Sequence, residues 1–379
     1  MKVFFTLDSL ANAGTEKSTL DILSHFSKDV EVKVIYFYPG SDLKADYEKA
    51  GIPLCYVDLK GKRSLLTGTR RLIKMIREEK PDLIVSSIMR ANFISRFAGK
   101  ITGTPVVGTF VNDSYGDIRI EEMRKKKQYA KFRFFWLLDR YTSGIPVYWI
   151  SNAASIARSN AKALHVQKKN SKVIYRGRET SLFPVWKPIN NNGRFKFVFV
   201  GRLLQRKGLE ELLQAFKSVG EKHPNIQLDI YGEGLFRKKL ESLVQTLQLS
   251  DRVTLHGKVP NGWRKLYDAD CFVFPSWYEG FSGSLVEAMI AGIPIIASNI
   301  PMNLEAVSND TAVIYPVKNT NELAASMNRM IESYPSMIEM GKRARQVACE
   351  RFDINMIAHQ YETFLKEVVE NKVDQQALI

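Results

Sequence analysis

Short apolar runs alternate with longer stretches in which apolar residues recur every three or four positions, along most of the chain. Residues 2–7 read as a strand and are followed by a helical pattern at Leu20, Leu23 and Phe26. Val32–Phe37, Pro53–Val57, Pro81–Ser86 and Pro105–Phe110 read as further strands, with helices over Thr69–Arg77 and Arg90–Lys100 between them. Tyr148–Asn152 is a strand end and Ala153–Leu164 a helix. The turn-rich, aperiodic segment Pro184–Gly193 then interrupts the pattern and reads as a linker. It restarts with a strand at Phe195–Val200 and an amphipathic helix through Leu209, Leu212, Leu213 and Phe216. Strands at Leu228, Val253, Asp270–Pro275, Ile293–Ala297 and Val313 follow, then helices from Asn321 to Cys349 and an amphipathic tail over Phe352–Glu370. Strand and helix taking turns predicts an α/β protein with parallel sheets covered on both faces. The break predicts two Rossmann-like domains, 1–190 and 194–350, and a separate C-terminal segment, 351–379.

A chain of 379 residues suits two domains of similar size. Its 45% hydrophobic and 25% charged content is that of a folded, soluble protein. No run is long and apolar enough to span a bilayer, and the apolar start breaks at Asp8, which fits a first strand better than a signal peptide. Cys55, Cys271 and Cys349 lie far apart and are odd in number; they fit a reducing cytoplasm rather than a disulfide framework or a zinc site. The net charge of +15 changes the picture because it is uneven: residues 51–200 hold 29 Lys and Arg against 10 Asp and Glu. Such a field leaves nucleic acid, anionic lipid and phosphorylated substrates open as partners.

The segment Trp277–Pro294 carries the most specific candidate chemistry. It lies between two short apolar runs and contains a glycine-bearing turn, Gly280 and Gly283, that leads into a single helix. Ser284 is the predicted N-cap, with Glu287 three residues on as its capping-box partner, and Gly292 and Pro294 end the helix. A helix start offers unpaired N–H groups to an anion. Glu279 and Glu287 frame the turn, and carboxylates of this kind accept hydrogen bonds from vicinal hydroxyls. Spacing alone allows the plainer reading, a capping box beside an ordinary loop acid. A second turn, Gly201-Arg-Leu-Leu-Gln-Arg-Lys-Gly208, places Arg202 and Lys207 between glycines where a strand runs into a helix.

The string Glu279-Gly-Phe-Ser-Gly-Ser-Leu-Val-Glu287 resembles the E-x7-E segment of the retaining, nucleotide-sugar-dependent GT4-type glycosyltransferases. The second turn resembles that family's G-R-x4-K-G signature, and Asn12-Ala-Gly-Thr-Glu16 its G-G-x-E loop, with Ala13 in place of the first glycine. Val173–Phe183 resembles the segment that closes the first domain, with Arg-Gly where Asn-Gly is common; Arg176 and Arg178 there either face the cleft or stand solvated at a loop. The resemblance implies a GT-B fold of two domains facing a cleft, with the last helix packing back on the first domain. It implies retaining transfer from a UDP- or GDP-sugar without a metal or other cofactor. The implied catalytic residues are Arg202, Lys207 and Glu279. The implied donor-binding positions are Gly14, Gly201, Gly232, Gly257, Phe281, Ser282, Gly283, Ser284 and Glu287. Arg202 and Lys207 would grip the diphosphate and Glu287 the ribose, while Glu279 would sit by the sugar. On this basis, replacing Lys207 or Glu287 by alanine abolishes transfer and leaves the fold intact. One departure stands out: Thr109-Phe-Val-Asn-Asp113 carries Val111 where the family often has a histidine, which leaves acceptor activation to a group such as Asn112 or Asp113.

The run Arg124–Leu138 is cationic in its first half and aromatic in its second. It reads either as a solvated helix face leading into a core helix or as a surface docking on anionic lipid, with Phe132, Phe135 or Trp136 dipping in. The implied acceptor is a glycan or a lipid-linked molecule, and the implied place the cytoplasm, peripheral to the inner membrane face. Nucleic acid is not expected, because no binding signature accompanies the charge. The competing functions are a nucleotide-sugar epimerase of the same architecture and a non-catalytic protein that binds anionic surfaces.

Overall fold

The computed structural model describes residues 1–59, 64–125, 127–189 and 193–370. Its residues group into two units: Met1–Gly177 with the chain from Ile354 onward, and Arg178–Asp353.

In the first unit seven parallel strands alternate with helices. The strands are β1 (Lys2–Leu7), β2 (Glu31–Tyr36), β3 (Leu54–Tyr56), β4 (Leu83–Ser86), β5 (Val106–Phe110), β6 (Tyr148–Ser151) and β7 (Ser171–Val173). The helices are α1 (Gly14–Leu23), α2 (Lys44–Lys49), α3 (Ser64–Glu79), α4 (Met89–Thr102), α5 (Asp117–Lys125), α6 (Tyr129–Thr142) and α7 (Ala154–Leu164). The sheet order is β3-β2-β1-β4-β5-β6-β7. β4 and β5 are buried along their whole length, as strands covered by helices on both faces must be. The amphipathic helix Ile354–Val369 belongs to this unit, with Ile357, Tyr361, Phe364 and Leu365 in the same core as Val3, Phe5 and Leu7. Trp149 is fully buried and stacks on Phe110 at 4.1 Å.

The second unit holds β8 (Phe195–Val200), β9 (Ile226–Tyr231), β10 (Val253–Gly257), β11 (Cys271–Phe274), β12 (Ile295–Ser298) and β13 (Val313–Tyr315). Its helices are α8 (Leu209–Lys222), α9 (Arg237–Thr246), α10 (Gly283–Ala291), α11 (Pro301–Leu304), α12 (Thr320–Glu332) and α13 (Tyr334–Arg351); the helix Ile354–Val369 is then α14. The parallel order is β10-β9-β8-β11-β12-β13. Strand order therefore reverses between β8 and β11, so the loops leaving those strands diverge and open a crevice at their C-terminal ends. This reversal positions the candidate site. α8 buries Leu209, Leu212, Leu213, Phe216 and Val219 along one stripe, as its spacing predicts. Each unit is thus a Rossmann-like parallel sheet with helices between its strands.

Several local predictions change. The cationic run ends α5 and the aromatic run forms α6, and Lys126 lies outside the described residues. Within α6, Phe132 packs by Tyr115, Phe135 by Phe93, and Trp136 donates to the Ala163 carbonyl at 3.1 Å. Those three rings are half-buried against the protein. The exposed side chains are Phe134, Leu137 and Tyr141, at 64, 41 and 86% exposure. The choice of face follows from a buried anchor: Arg96 on α4 donates to Asp139 at 2.5 Å and to Thr142 at 2.8 Å, which turns that side of α6 inward.

Candidate functional site

The loop after β8 and the loop after β11 flank the reversal in strand order, and each supplies one half of a buried ion pair. Lys207 lies in a short 3-10 turn, Gln205–Lys207, and Gly208 follows with φ +68°. A side chain at 208 would overlap the Pro275 carbonyl, so glycine alone lets the two loops come this close. Lys207 Nζ donates to Glu279 Oε1, and both side chains are about nine-tenths buried. The ammonium also lies 5.1 Å from the centre of the Phe274 ring.

Burial pushes the Glu279 carboxyl up, but Lys207 and Arg206 together hold it below the usual carboxylate range. Burial is also the largest influence on Lys207, and with the charges of Arg206 and Arg202 it lowers the ammonium against the pull of Glu279. Arg206 stacks over Tyr278 at 5.0 Å, and its carbonyl accepts the Trp277 amide at 2.8 Å. Arg202 is exposed and, among the described residues, has no carboxylate partner. The pair is thus neutral in itself, and Arg202 and Arg206 leave its surroundings positive.

α10 begins beside this pair. It starts at Gly283 with Ser282 as N-cap, and neither Ser282 nor Ser284 caps it through a side chain; their hydroxyls lie 3.2 Å from each other. Ser284 is therefore inside the helix and the predicted capping box does not form. The sequence offers two serines of equal capping propensity, and the turn geometry selects the earlier one. The first intrahelical bond runs from the Val286 amide to the Ser282 carbonyl at 3.2 Å. The amides of Gly283, Ser284 and Leu285 consequently lack a carbonyl one turn back, and the positive end of the helix stays uncapped.

Residues Leu285–Ala291 are buried all round, which puts the Glu287 carboxylate in an apolar helix where it needs a partner. Arg178 supplies it, with Nε donating to Glu287 Oε1 at 2.8 Å. The sequence gives no periodic or spacing signal for this contact, which joins residues 109 positions apart. Phe281 is buried against Phe352, with ring centres 5.3 Å apart, so its part at a ligand falls to its backbone.

Gly201, Gly232 and Gly257 meet at the ends of neighbouring strands. The Gly201 amide donates to Tyr231 and the Gly232 amide to Gly257, at 3.0 and 2.8 Å. Gly232 has φ +145°, and a side chain there would overlap the Gly201 carbonyl. Next to them His256 stacks on Tyr231 at 4.3 Å and meets Asp229 at 2.9 Å.

Gly14 lies in the first unit, at the start of α1, where the Arg176 guanidinium passes 3.1 Å from the place of a β-carbon. The same unit has a cavity of about 50 Å³ lined in part by Thr15, Ser18, Thr109, Val111, Asn152 and Arg176. Asp113 is engaged by Ser159, whose hydroxyl donates to it at 2.6 Å. Asp8, at the end of β1, accepts the Ala91 amide at 2.8 Å, and burial pushes its carboxyl up to about 6. Neighbouring Ile88 holds φ +75°, a strained value for a β-branched residue. A mid-strand apolar run ending in a single acid gives no hint of either feature. Among the described residues no group of three His, Cys, Asp or Glu comes together as a metal site would need, and no helix is long and apolar enough to cross a membrane.

Residues 185–347 match the family Glycosyl transferases group 1, and residues 13–182 match Glycosyltransferase Family 4. An uncharacterized glycosyltransferase of Methanocaldococcus jannaschii is 30% identical over 304 residues, covering 76% of this chain and 73% of its own. A capsular polysaccharide biosynthesis glycosyltransferase of Staphylococcus aureus, CapM, is 24% identical over 90% of this chain and 92% of its own. Among solved structures, Anabaena HepE in complex with UDP-glucose superposes with a TM-score of 0.82 at 20% identity, over 97% of this chain and 100% of its own.

Proposed function

The chain belongs to the GT4-type glycosyltransferases of group 1, GT-B in fold, and from that premise we propose that it moves a hexose or N-acetylhexosamine from a nucleotide sugar to a glycan or lipid-linked acceptor, with retention, in cell-surface polysaccharide biosynthesis. One observation carries the reading: the Lys207–Glu279 pair, exposed Arg202 and the uncapped start of α10 all border the crevice where the order of the second sheet reverses. A positive crevice with open backbone amides suits a diphosphate. A capsular biosynthesis role in CapM and UDP-glucose bound to HepE support the substrate class by kinship.

In the reaction so assigned, the bond between the anomeric carbon and the β-phosphate oxygen breaks, and its electron pair stays on the phosphate. The acceptor hydroxyl oxygen forms the new bond on the same face, and its proton passes to the departing phosphate. Arg202 and Lys207 stabilise the charge that grows on the leaving diphosphate. Glu279, kept ionised by its neighbours, both fixes Lys207 and accepts hydroxyls of the donor sugar. Glu287 holds the ribose. Incubation with UDP- and GDP-sugars tests the assignment. Slow release of nucleoside diphosphate, accelerated by a lipid-linked acceptor, is expected; interconversion of the sugar without release would point to an epimerase instead.

A peripheral place on anionic membrane is the second part of this reading, and the outward face of α6 favours it. Phe134, Leu137 and Tyr141 follow one another at helical spacing, flanked by exposed Lys131, Arg133 and Arg140. Arg140 also meets His165 at 3.1 Å on the rim of an open groove along α7, where Arg158, Lys162 and Lys168 extend the positive surface.

A further inference from the structure

Arg178 is the first residue of the second unit, and its amide donates to the Phe352 carbonyl at 2.9 Å. That bond fixes where the side chain departs. The guanidinium is more than nine-tenths buried, with Nε on Glu287 and its far edge over Gly283, where a β-carbon would overlap Nη2. It therefore lies against the first turn of α10, beside amides that have no carbonyl one turn back.

A cation next to the positive end of a helix is unfavourable by itself. Glu287 compensates for it, much as Glu279 does for Lys207. Once these two carboxylates are matched, Arg202, Arg206 and the helix end add positive charge, and among the described residues no further ion pair answers either arginine. An incoming anion would relieve all of these at once, and the guanidinium already stands where that anion would meet the helix. Its planar fork allows Nε to keep Glu287 oriented while the far edge turns to an oxyanion.

We propose that Arg178 is a further cation of the donor site, contacting the diphosphate of the nucleotide sugar at the start of α10 while it holds Glu287 toward the ribose. The proposal rests on the nucleotide-sugar reading above and adds to it a residue that stands outside both motifs of the second unit. It also accounts for Gly283, since any larger residue would push the guanidinium off the helix start.

The test is calorimetric titration of the full-length protein, wild type, Arg178→Gln and Arg178→Lys, with UDP and GDP and, by competition, with uridine and guanosine. The Arg178→Gln change is expected to weaken the preferred diphosphate at least tenfold more than it weakens the nucleoside, which loses only the orientation of Glu287, and Arg178→Lys, which keeps the buried charge, to fall between. Equal losses for nucleoside and diphosphate would make Arg178 a mere support of Glu287 and overturn the proposal. Unchanged diphosphate affinity in Arg178→Lys and Arg178→Gln would do the same while leaving the nucleotide-sugar reading in place. Failure of the wild type to bind either diphosphate would remove both. Melting curves of the variants show whether a loss reflects the site or the fold.

Discussion

Lys207 and Glu279 join a structural role to the one their motifs imply. Each is buried, and each answers the other's charge across the two loops of the site. Removing one partner leaves the other as an uncompensated buried ion, which costs about 3 kcal/mol or more. Lys207→Ala is therefore expected to abolish transfer and to lower stability by about that amount, a revision of the sequence-based expectation that the fold stays intact. Replacing both, Lys207→Met with Glu279→Leu, should restore much of the stability and none of the turnover, as read by denaturant melts and donor consumption. Motif spacing makes the two residues legible because strand-to-helix turns fix which positions face the crevice. It says nothing of their pairing or of Arg206, and for Arg178 the closing segment leaves a cleft-facing and a solvated position equally open, because its contacts depend on residues distant in the chain.

Asp8 is the residue-scale feature least visible beforehand. With its carboxyl raised to about 6 by burial, the folded state holds a proton more tightly than the unfolded chain does. Its contribution therefore favours the fold at low pH, declines as pH rises from about 4 through about 6, and stays constant above. Asp8→Asn should flatten the dependence of melting temperature on pH in that window and raise it at pH 7. A larger pH slope in the variant would show that Asp8 is stabilising as an anion through Ala91 and Arg90.

At the scale of elements, α6 and α10 show what periodicity leaves undecided. Nearly every position from Tyr129 to Leu138 in α6 is aromatic, aliphatic or basic, so pattern alone does not choose the inward face. The Arg96–Asp139 anchor decides it and leaves Phe134, Leu137 and Tyr141 outside. Changing those three to serine is expected to cut co-sedimentation with phosphatidylglycerol vesicles severalfold, more at high salt, and to shift stability by less than about 0.5 kcal/mol per site. Unchanged sedimentation would return α6 to an ordinary solvated face. In α10 the capping signal was real but doubled, and the helix begins at Gly283, two residues closer to Glu279 than an N-terminal serine at 284 would need for a cap and its partner glutamate. The practical result is that Glu287 turns to Arg178 rather than back to the helix start.

At the scale of the whole molecule, the alternation of strands and helices was enough to give two parallel sheets, because buried parallel strands must read as short apolar runs. The reversal of strand order was not legible, since pairing between β8 and β11 joins strands separated by two complete strand-helix units. That reversal is what gathers Arg202, Lys207, Glu279 and α10 at the C-terminal ends of the two central strands of the second sheet. On the proposed reading these strand ends seat the pyrophosphate of a sugar donor. A crystal structure with a bound UDP- or GDP-sugar tests it most directly. The expected result is a diphosphate within hydrogen-bonding distance of Arg202 or Lys207 and of the amides of Gly283 and Ser284. A well-ordered donor bound elsewhere, with those groups turned away from its phosphates, would contradict the account.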